Sequence, residues 1–277
     1  MSLAQVDKDR LATALHAPVA SSAFVLHRHD WSESSLILEL FTLEKGRITA
    51  LAKGAKRPHS QMRSVLLPFQ RIHVAMTKGA RKERDPTASD IQTLRSAEWA
   101  GGGAVLGGAA LFSGFYMNEL LMRLLVRHEA RPRLFDAYVC ALRGLQDPLE
   151  TTAQAALRAF EVRLLSELGV LPDLSLCTPS QQAVRDDQPY QLTPDMGVIE
   201  VPSGSGADDL LPGALLISLQ AALLHGSFPA LQQACVAGLS PLKLAFRGLL
   251  HYHLGFMPLR TRQLMLDMQA MERRVVL

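Results

Sequence analysis

No acidic side chain stands between Glu44 and Glu83, yet the same thirty-eight positions carry Lys45, Arg47, Lys53, Lys56, Arg57, Arg63, Arg71, Lys78, Arg81 and Lys82. Ordinary surfaces intersperse both signs, so this absence points to a polyanionic partner, with a merely soluble basic face as the alternative. Cations along one path with no carboxylates to cancel them release counterions from a phosphate backbone, the main sequence-independent source of nucleic-acid affinity. Cysteine is also scarce. Cys140, Cys177 and Cys235 are odd in number and widely spaced, which argues against a disulfide framework and suits a reducing compartment. Their default role is as small buried hydrophobes.

Other absences narrow the chemistry. No segment stays apolar for the roughly 20 residues of a membrane span, and Met1–His16 lacks the apolar core of a secretory signal, so a soluble, cytoplasmic protein is expected. There is no Gly-Lys-Ser/Thr and no GxGxxG. The glycines from Gly101 to Gly108 are therefore read as a linker into a tightly packed helix rather than as a phosphate cradle. No nucleophile elbow surrounds Ser203 or Ser205. His27 with His29, and His251 with His253, each lack a third ligand at a recognisable spacing. No catalytic residue, cofactor or metal is expected.

What is present is uneven. Residues 1–100 hold fifteen Lys/Arg against ten Asp/Glu, a net of +5, and residues 101–277 hold fourteen against sixteen, a net of −2. That asymmetry suggests two parts with different partners, and 277 residues suffice for two ordinary domains. Short strands are predicted over Ala23–His29, Ser35–Thr42, Arg47–Lys53, Arg71–Thr77 and Asp90–Ser96. Leu36, Leu38 and Leu40 share one face, as do Ile48, Ala50 and Ala52, while Ile72, Val74 and Met76 point inward. Gly46 supplies a positive-φ turn between the second and third strands. Five short strands in so few residues predict a small barrel, with cations mostly on its connections or outer face. Trp31, in the first connection, is the candidate for base stacking, with capping of the barrel end as its alternative.

Beyond Ala100 the period becomes helical. One helix runs toward Arg127 through Leu106, Leu111, Phe115, Leu120 and Leu124. Pro132 opens a second, and Thr151–Leu168 forms a third with Gly169 at its stop. Residues 172–212, rich in Pro, Gly, Ser and Asp, predict a loop or short irregular hairpin. Two or three further helices follow, including Leu242–Leu254 and Leu259–Met271. The expected domains are 1–100 and 101–277.

Several blocks together resemble the RecO family of bacterial recombination mediators: AFVLHRHDWSESSLILELFTLEKGRITALAKGAKRP, LLPFQ, TLRSAE, LFSGFYMNELLMRLL, LFDAYVCAL, ALRAFEVRLLSELG and LLHYHLGFMPLRTRQL. They run in order from about Ala23 to Gln269. The resemblance implies an α+β chain, an N-terminal five-stranded OB-fold barrel followed by an all-helical domain. It implies binding of single- and double-stranded DNA, annealing of complementary strands, and association with RecR. It also implies engagement of the acidic tail of single-stranded-DNA-binding protein, help in loading RecA, and a place at the bacterial nucleoid. The AKGAKR block carries Lys53, Lys56 and Arg57 as phosphate contacts, with Arg63 from the stretch before LLPF.

Arg47, Arg71, Lys78, Arg81, Lys82 and Trp31 complete the expected DNA-binding set. The connection from Thr77 to Ser89 is longer and more basic than is usual in the family. For the partner tail, Arg123, Arg127, Arg158 and Arg163 are the candidate cations, Arg158 foremost, on helices whose other faces carry Leu120, Leu124, Leu157 and Phe160. Ordinary solvated arginines are the alternative there. Only Cys177 stands where some relatives carry a zinc-binding cysteine cluster, which resembles a zinc-free branch. The same basic patch also permits an RNA-binding or transcription-associated OB protein, and scattered carboxylates leave a metal-dependent nuclease as an enzymatic alternative.

Overall fold

Alternation along the first third of the chain closes into a barrel. The structure, a computed structural model, describes residues 20–77, 91–202 and 209–275. Strands β1 (Ser21–Asp30), β2 (Leu36–Thr42), β3 (Gly46–Ala52), β4 (Arg71–Met76) and β5 (Ile91–Trp99) form a closed barrel in the order β1-β2-β3-β5-β4. This is the OB-fold arrangement. Four of its pairings are antiparallel and β3 with β5 is parallel. Inward residues interdigitate as one core: Val25, Leu36, Leu38, Leu40, Ile48, Ala50, Ile72, Val74 and Leu94. Met76 packs against it while His73 is exposed, so the predicted faces hold.

Local chemistry fixes the turns. Gly46 has φ 64°, and the Thr42 hydroxyl donates to the Gly46 carbonyl at 2.9 Å while accepting from the Lys45 N–H at 3.1 Å. The β2–β3 register is thereby pinned at its closed end. A bulge between Val25 and His27 divides β1, leaving 22–26 buried and 27–30 exposed. A short helical turn, α1 (Met62–Val65), lies between β3 and β4.

The chain divides into two compact units at Gly103/Ala104. The second holds helices α2 (Gly108–Leu124), α3 (Pro132–Gly144), α4 (Glu150–Glu167), α5 (Gly213–His225), α6 (Phe228–Val236), α7 (Leu239–His253) and α8 (Arg260–Val275), of which α3, α6 and α7 pack against α4. Pro132 opens α3 and Gly169, φ 72°, follows α4. At Gly144 a Cβ would meet that of Ala156 at 2.5 Å, so the absence of a side chain sets the approach of α3 to α4.

Residues 172–212 bear out the short hairpin, β6 (Pro189–Thr193) with β7 (Gly197–Glu200), which β8 (Leu211–Pro212) extends to a three-stranded sheet, β7-β6-β8, within the helical unit. Two expectations need correction. Four helices follow that sheet rather than two or three. The linker glycines do not all serve tight packing: a Cβ at Gly103 would run into the Gln70 side chain, whereas at Gly101, Gly107 and Gly108 it would meet nothing within 4 Å.

Candidate nucleic-acid interface

The β1–β2 connection and the segment leaving β3 meet at one end of the barrel. Register places Asp30 opposite Leu36 and Leu36 opposite Ala52. The Lys56 N–H donates to the Ser34 carbonyl at 2.9 Å and the Gly54 N–H to the Ser35 hydroxyl at 3.4 Å. Successive turns, Arg57 to Gly54, Ser60 to Arg57 and Arg63 to Ser60, carry the chain into α1. Lys53, Arg57 and Arg63 are exposed on this segment, and Trp31 beside it is 64% exposed. A Trp capping the barrel would be covered, which Trp31 is not. Lys56 is half-buried and pairs with Asp30 at 3.1 Å.

Arg28 belongs to the same end and was missed by sequence reasoning. It is exposed, and its Nη1 donates to the Leu66 carbonyl at 3.1 Å, tying β1 to the end of α1. The bulge in β1, which turns residues 27–30 outward, was the feature needed to find it. Trp99, 66% exposed at the end of β5, is a second accessible aromatic that the sequence did not single out.

Arg47 and Arg71 sit elsewhere. Arg71 is opposite Phe24, Phe24 opposite Phe41, and Phe41 opposite Arg47, which puts both toward the barrel end away from Trp31. Arg71 Nε donates to the Ser22 hydroxyl at 2.8 Å. Arg47 lies 4.0 Å from the buried Glu39 carboxylate, which accepts from the Thr49 hydroxyl at 2.9 Å. The acid-free run along the chain is thus partly neutralised in space by Glu39 from β2 and Asp30 from β1. Lys78, Arg81 and Lys82 lie outside the described residues.

The candidate tail residues in the helical unit also separate. Arg158 is a correction: instead of a solvated helix face it occupies the interior, 8% exposed, with Nη1 2.6 Å from Glu161 Oε2. The Tyr116 hydroxyl donates to Glu161 Oε1 at 2.7 Å. Burial raises the Glu161 carboxyl above its usual range against the pull of Arg158 and Tyr116. Phe160 is fully buried and Leu157 half-buried. These residues form core around a buried ion pair because α4 is enclosed on several sides, which an amphipathic reading of one stripe does not anticipate. Arg123, partly exposed, pairs with Glu119 at 2.7 Å, and Arg127 is exposed beyond the end of α2 beside Val126, itself 67% exposed.

Among the described residues no three His, Cys, Asp or Glu side chains are grouped to hold a metal, and no helix is long and apolar enough to cross a membrane. His27 and His29 are in edge contact at 4.3 Å. Cys235 is fully buried, and burial pushes its thiol up to about 12.

Residues 17–101 match the family model described as recombination protein O N terminal, and residues 107–263 match recombination protein O C terminal. The chain is 45% identical over 250 residues to a DNA repair protein RecO of Polaromonas sp. (strain JS666 / ATCC BAA-500), covering 90% of this chain and 96% of that one. It is 46% identical to the protein of the same name from Polaromonas naphthalenivorans (strain CJ2), with the same shares covered. Against that from Variovorax paradoxus (strain S110) it is 43% identical over 267 residues, covering 93% and 99%. An OB barrel with exposed cations and an exposed Trp at one end, a following helical unit, and these matches across both units place the chain in the RecO family.

Proposed function

We propose that this protein is a recombination mediator in DNA repair, binding single- and double-stranded DNA and annealing complementary strands without fuel or catalysis. The observation that carries the reading is the grouping of Lys53, Arg57 and Arg63 beside Trp31, with Arg28 and Lys56 next to them. Phosphate contacts from loop cations position a strand, and a stacked indole holds a base without reading its identity. Base pairing is downhill once strand repulsion is overcome, so a surface that neutralises two strands and concentrates them suffices for annealing.

With RecR, the protein would act on strands coated by single-stranded-DNA-binding protein and help load RecA, engaging that protein's acidic tail through the helical unit. Arg123, Arg127 and Val126, at and beyond the end of α2, offer the accessible combination of cations with an apolar residue that such a tail needs. The test is annealing of bare and of coated complementary strands, with and without RecR and in the absence of nucleotide and metal. Rapid annealing of both substrates is expected. Dependence on divalent metal, or strand cleavage, would defeat the proposal, and annealing of RNA in preference to DNA would move it to RNA.

A further inference from the structure

A second stretch of the chain also lacks acidic side chains. None stands between Asp209 and Asp267, while Lys243, Arg247, Arg260 and Arg262 do. Along α7, Lys243, Arg247 and His251 recur every four residues and so share one column of the helix surface, with Leu244, Gly248 and Tyr252 in the next. All six are exposed, unlike the buried Arg158 and Arg163. A Cβ at Gly248 would meet nothing within 4 Å, so the stripe is open at its middle. Arg262, half-buried near the start of α8, completes the group: burial and the neighbouring Arg247 both hold its guanidinium below the ordinary arginine range. Among the described residues no carboxylate lies within ion-pair distance of Lys243, Arg247 or Arg262. Glu161, which feels Lys243 from farther away, is already paired with Arg158. Glu119 and Asp267 are taken up in turn by the first N–H groups of α8 and by the Gln263 amide.

Rings stand at the end of the same stripe. The chain leaves α7 through two successive left-handed residues, Gly255 with φ 66° and Phe256 with φ 62°. That conformation is uncommon for a side chain as large as Phe, and here the Phe256 N–H donates to the His251 carbonyl at 2.9 Å. The Phe256 ring is thereby set 5.2 Å from that of His251 and 5.8 Å from that of Tyr252, edge to face in both cases. Phe256 nevertheless remains 64% exposed and Tyr252 40%. Cations without counter-charges favour a polyanion, and exposed rings favour flat aromatic partners. A single nucleic-acid strand carries both, whereas a duplex keeps its bases stacked on one another.

We propose that the outer stripe of α7, with the 255–257 turn and the start of α8, is a second site for single-stranded nucleic acid, its phosphates on Lys243, Arg247 and Arg262 and a base against Tyr252 and Phe256. The inference rests on the annealing reading above, and it supplies what annealing needs beyond the barrel: a place for the complementary strand on the same chain. Because the two strands bind separately, the first keeps the salt dependence that the barrel gives it.

The full-length protein is titrated with a short oligothymidylate, which cannot pair with itself, and with the same strand carrying 5-bromodeoxyuridine for photocrosslinking. Two strands per chain are expected at saturation, with crosslinks both at Trp31 and within residues 251–257. Lys243→Gln combined with Arg247→Gln should lower the salt slope of the second binding step by about 1.4, at roughly 0.7 per contact on a single strand. Phe256→Ala should weaken that step about tenfold or more, the scale of one lost base stack. Both variants should anneal complementary strands more slowly than the parent while their first binding step keeps the parent's salt slope. One strand per chain in the parent, no crosslink within residues 251–257, or a second step unchanged in both variants overturns the second site. If the parent anneals despite such a result, the function proposed above stands without this site; if the parent neither binds nor anneals, both fall.

Discussion

Glu39 shows how a charge tally along the chain differs from one in space. It lies outside the acid-free run, yet its position opposite Thr49 across the β2–β3 pair brings it to Arg47. Cations on the outer face of a strand meet cross-strand partners, whereas Lys53, Arg57 and Arg63 lie on turns with no such neighbour. Replacing those three with Ala should flatten the dependence of log K on log salt by about 2, at roughly 0.7–0.9 per phosphate contact. Arg47→Ala should instead cost stability, by about 1–3 kcal/mol for the buried carboxylate it leaves behind, while the salt slope stays near that of the parent. A slope that falls as far in Arg47→Ala as in the triple variant would relocate the interface.

Arg158 was legible as an arginine within an apolar block but not as part of a core pair, because its partner Glu161 is three residues on and both are enclosed by other helices. Arg158→Ala leaves Glu161 buried without its cation and should destabilise by about 3–5 kcal/mol. The sign with pH follows from the raised Glu161 carboxyl. A group held above its unfolded value, about 4.3 for Glu, favours the folded state at low pH, and that contribution is lost as pH rises through the folded value. Removing Arg158 raises the carboxyl further, so the deficit measured by denaturant unfolding should be larger at pH 8 than at pH 5. A deficit independent of pH would mean that Arg158 acts through packing alone.

Among elements, the barrel strands were readable because several alternate and their turns carry Gly or polar residues. The observed strands depart from the predicted ones only near their ends. Of sheet β6–β8 only a short hairpin, with a loop as its alternative, was readable: its strands are two to five residues long and sit among prolines and glycines that signal loop. Helix α5, GALLISLQAALLH, is apolar nearly all round and so offers little 3.6-residue stripe to find. The start of α8 depends on a partner far along the chain. The Arg260 and Thr261 N–H groups each donate to the Glu119 carboxylate on α2 at 2.9 Å, and the Thr261 hydroxyl donates at 2.7 Å. Burial alone would raise Glu119, but these bonds and Arg123 outweigh it and hold the carboxyl below its usual range. Its contribution is therefore complete above about pH 4.3 and lost as pH falls through the depressed folded value. Glu119→Ala should remove about 1–2 kcal/mol, as for loss of a helix cap. It should also speed hydrogen exchange at the Arg260 and Thr261 amides, and unchanged exchange there would show that α8 starts without Glu119.

For the molecule as a whole, the charge asymmetry between residues 1–100 and 101–277 matches the division at Gly103/Ala104. What remained illegible was which cations survive pairing, since that depends on strand register and on helices closing around α4. A fragment ending at Gly103 should fold and bind DNA with the salt slope of the full chain, within about one phosphate contact. A slope lower by several contacts would assign cations of the helical unit to DNA. The single parallel pairing in the barrel has a consequence for how the chain folds. Strands β1, β2 and β3 pair through short connections, but β5 reaches β3 only after the chain has travelled through α1, β4 and the segment beyond it. Pairings so distant in sequence are slow because loop entropy is lost before contacts are gained. The meander is expected to form early, and the pairings of β1 with β4 and of β3 with β5, the most distant in sequence, to close the barrel late.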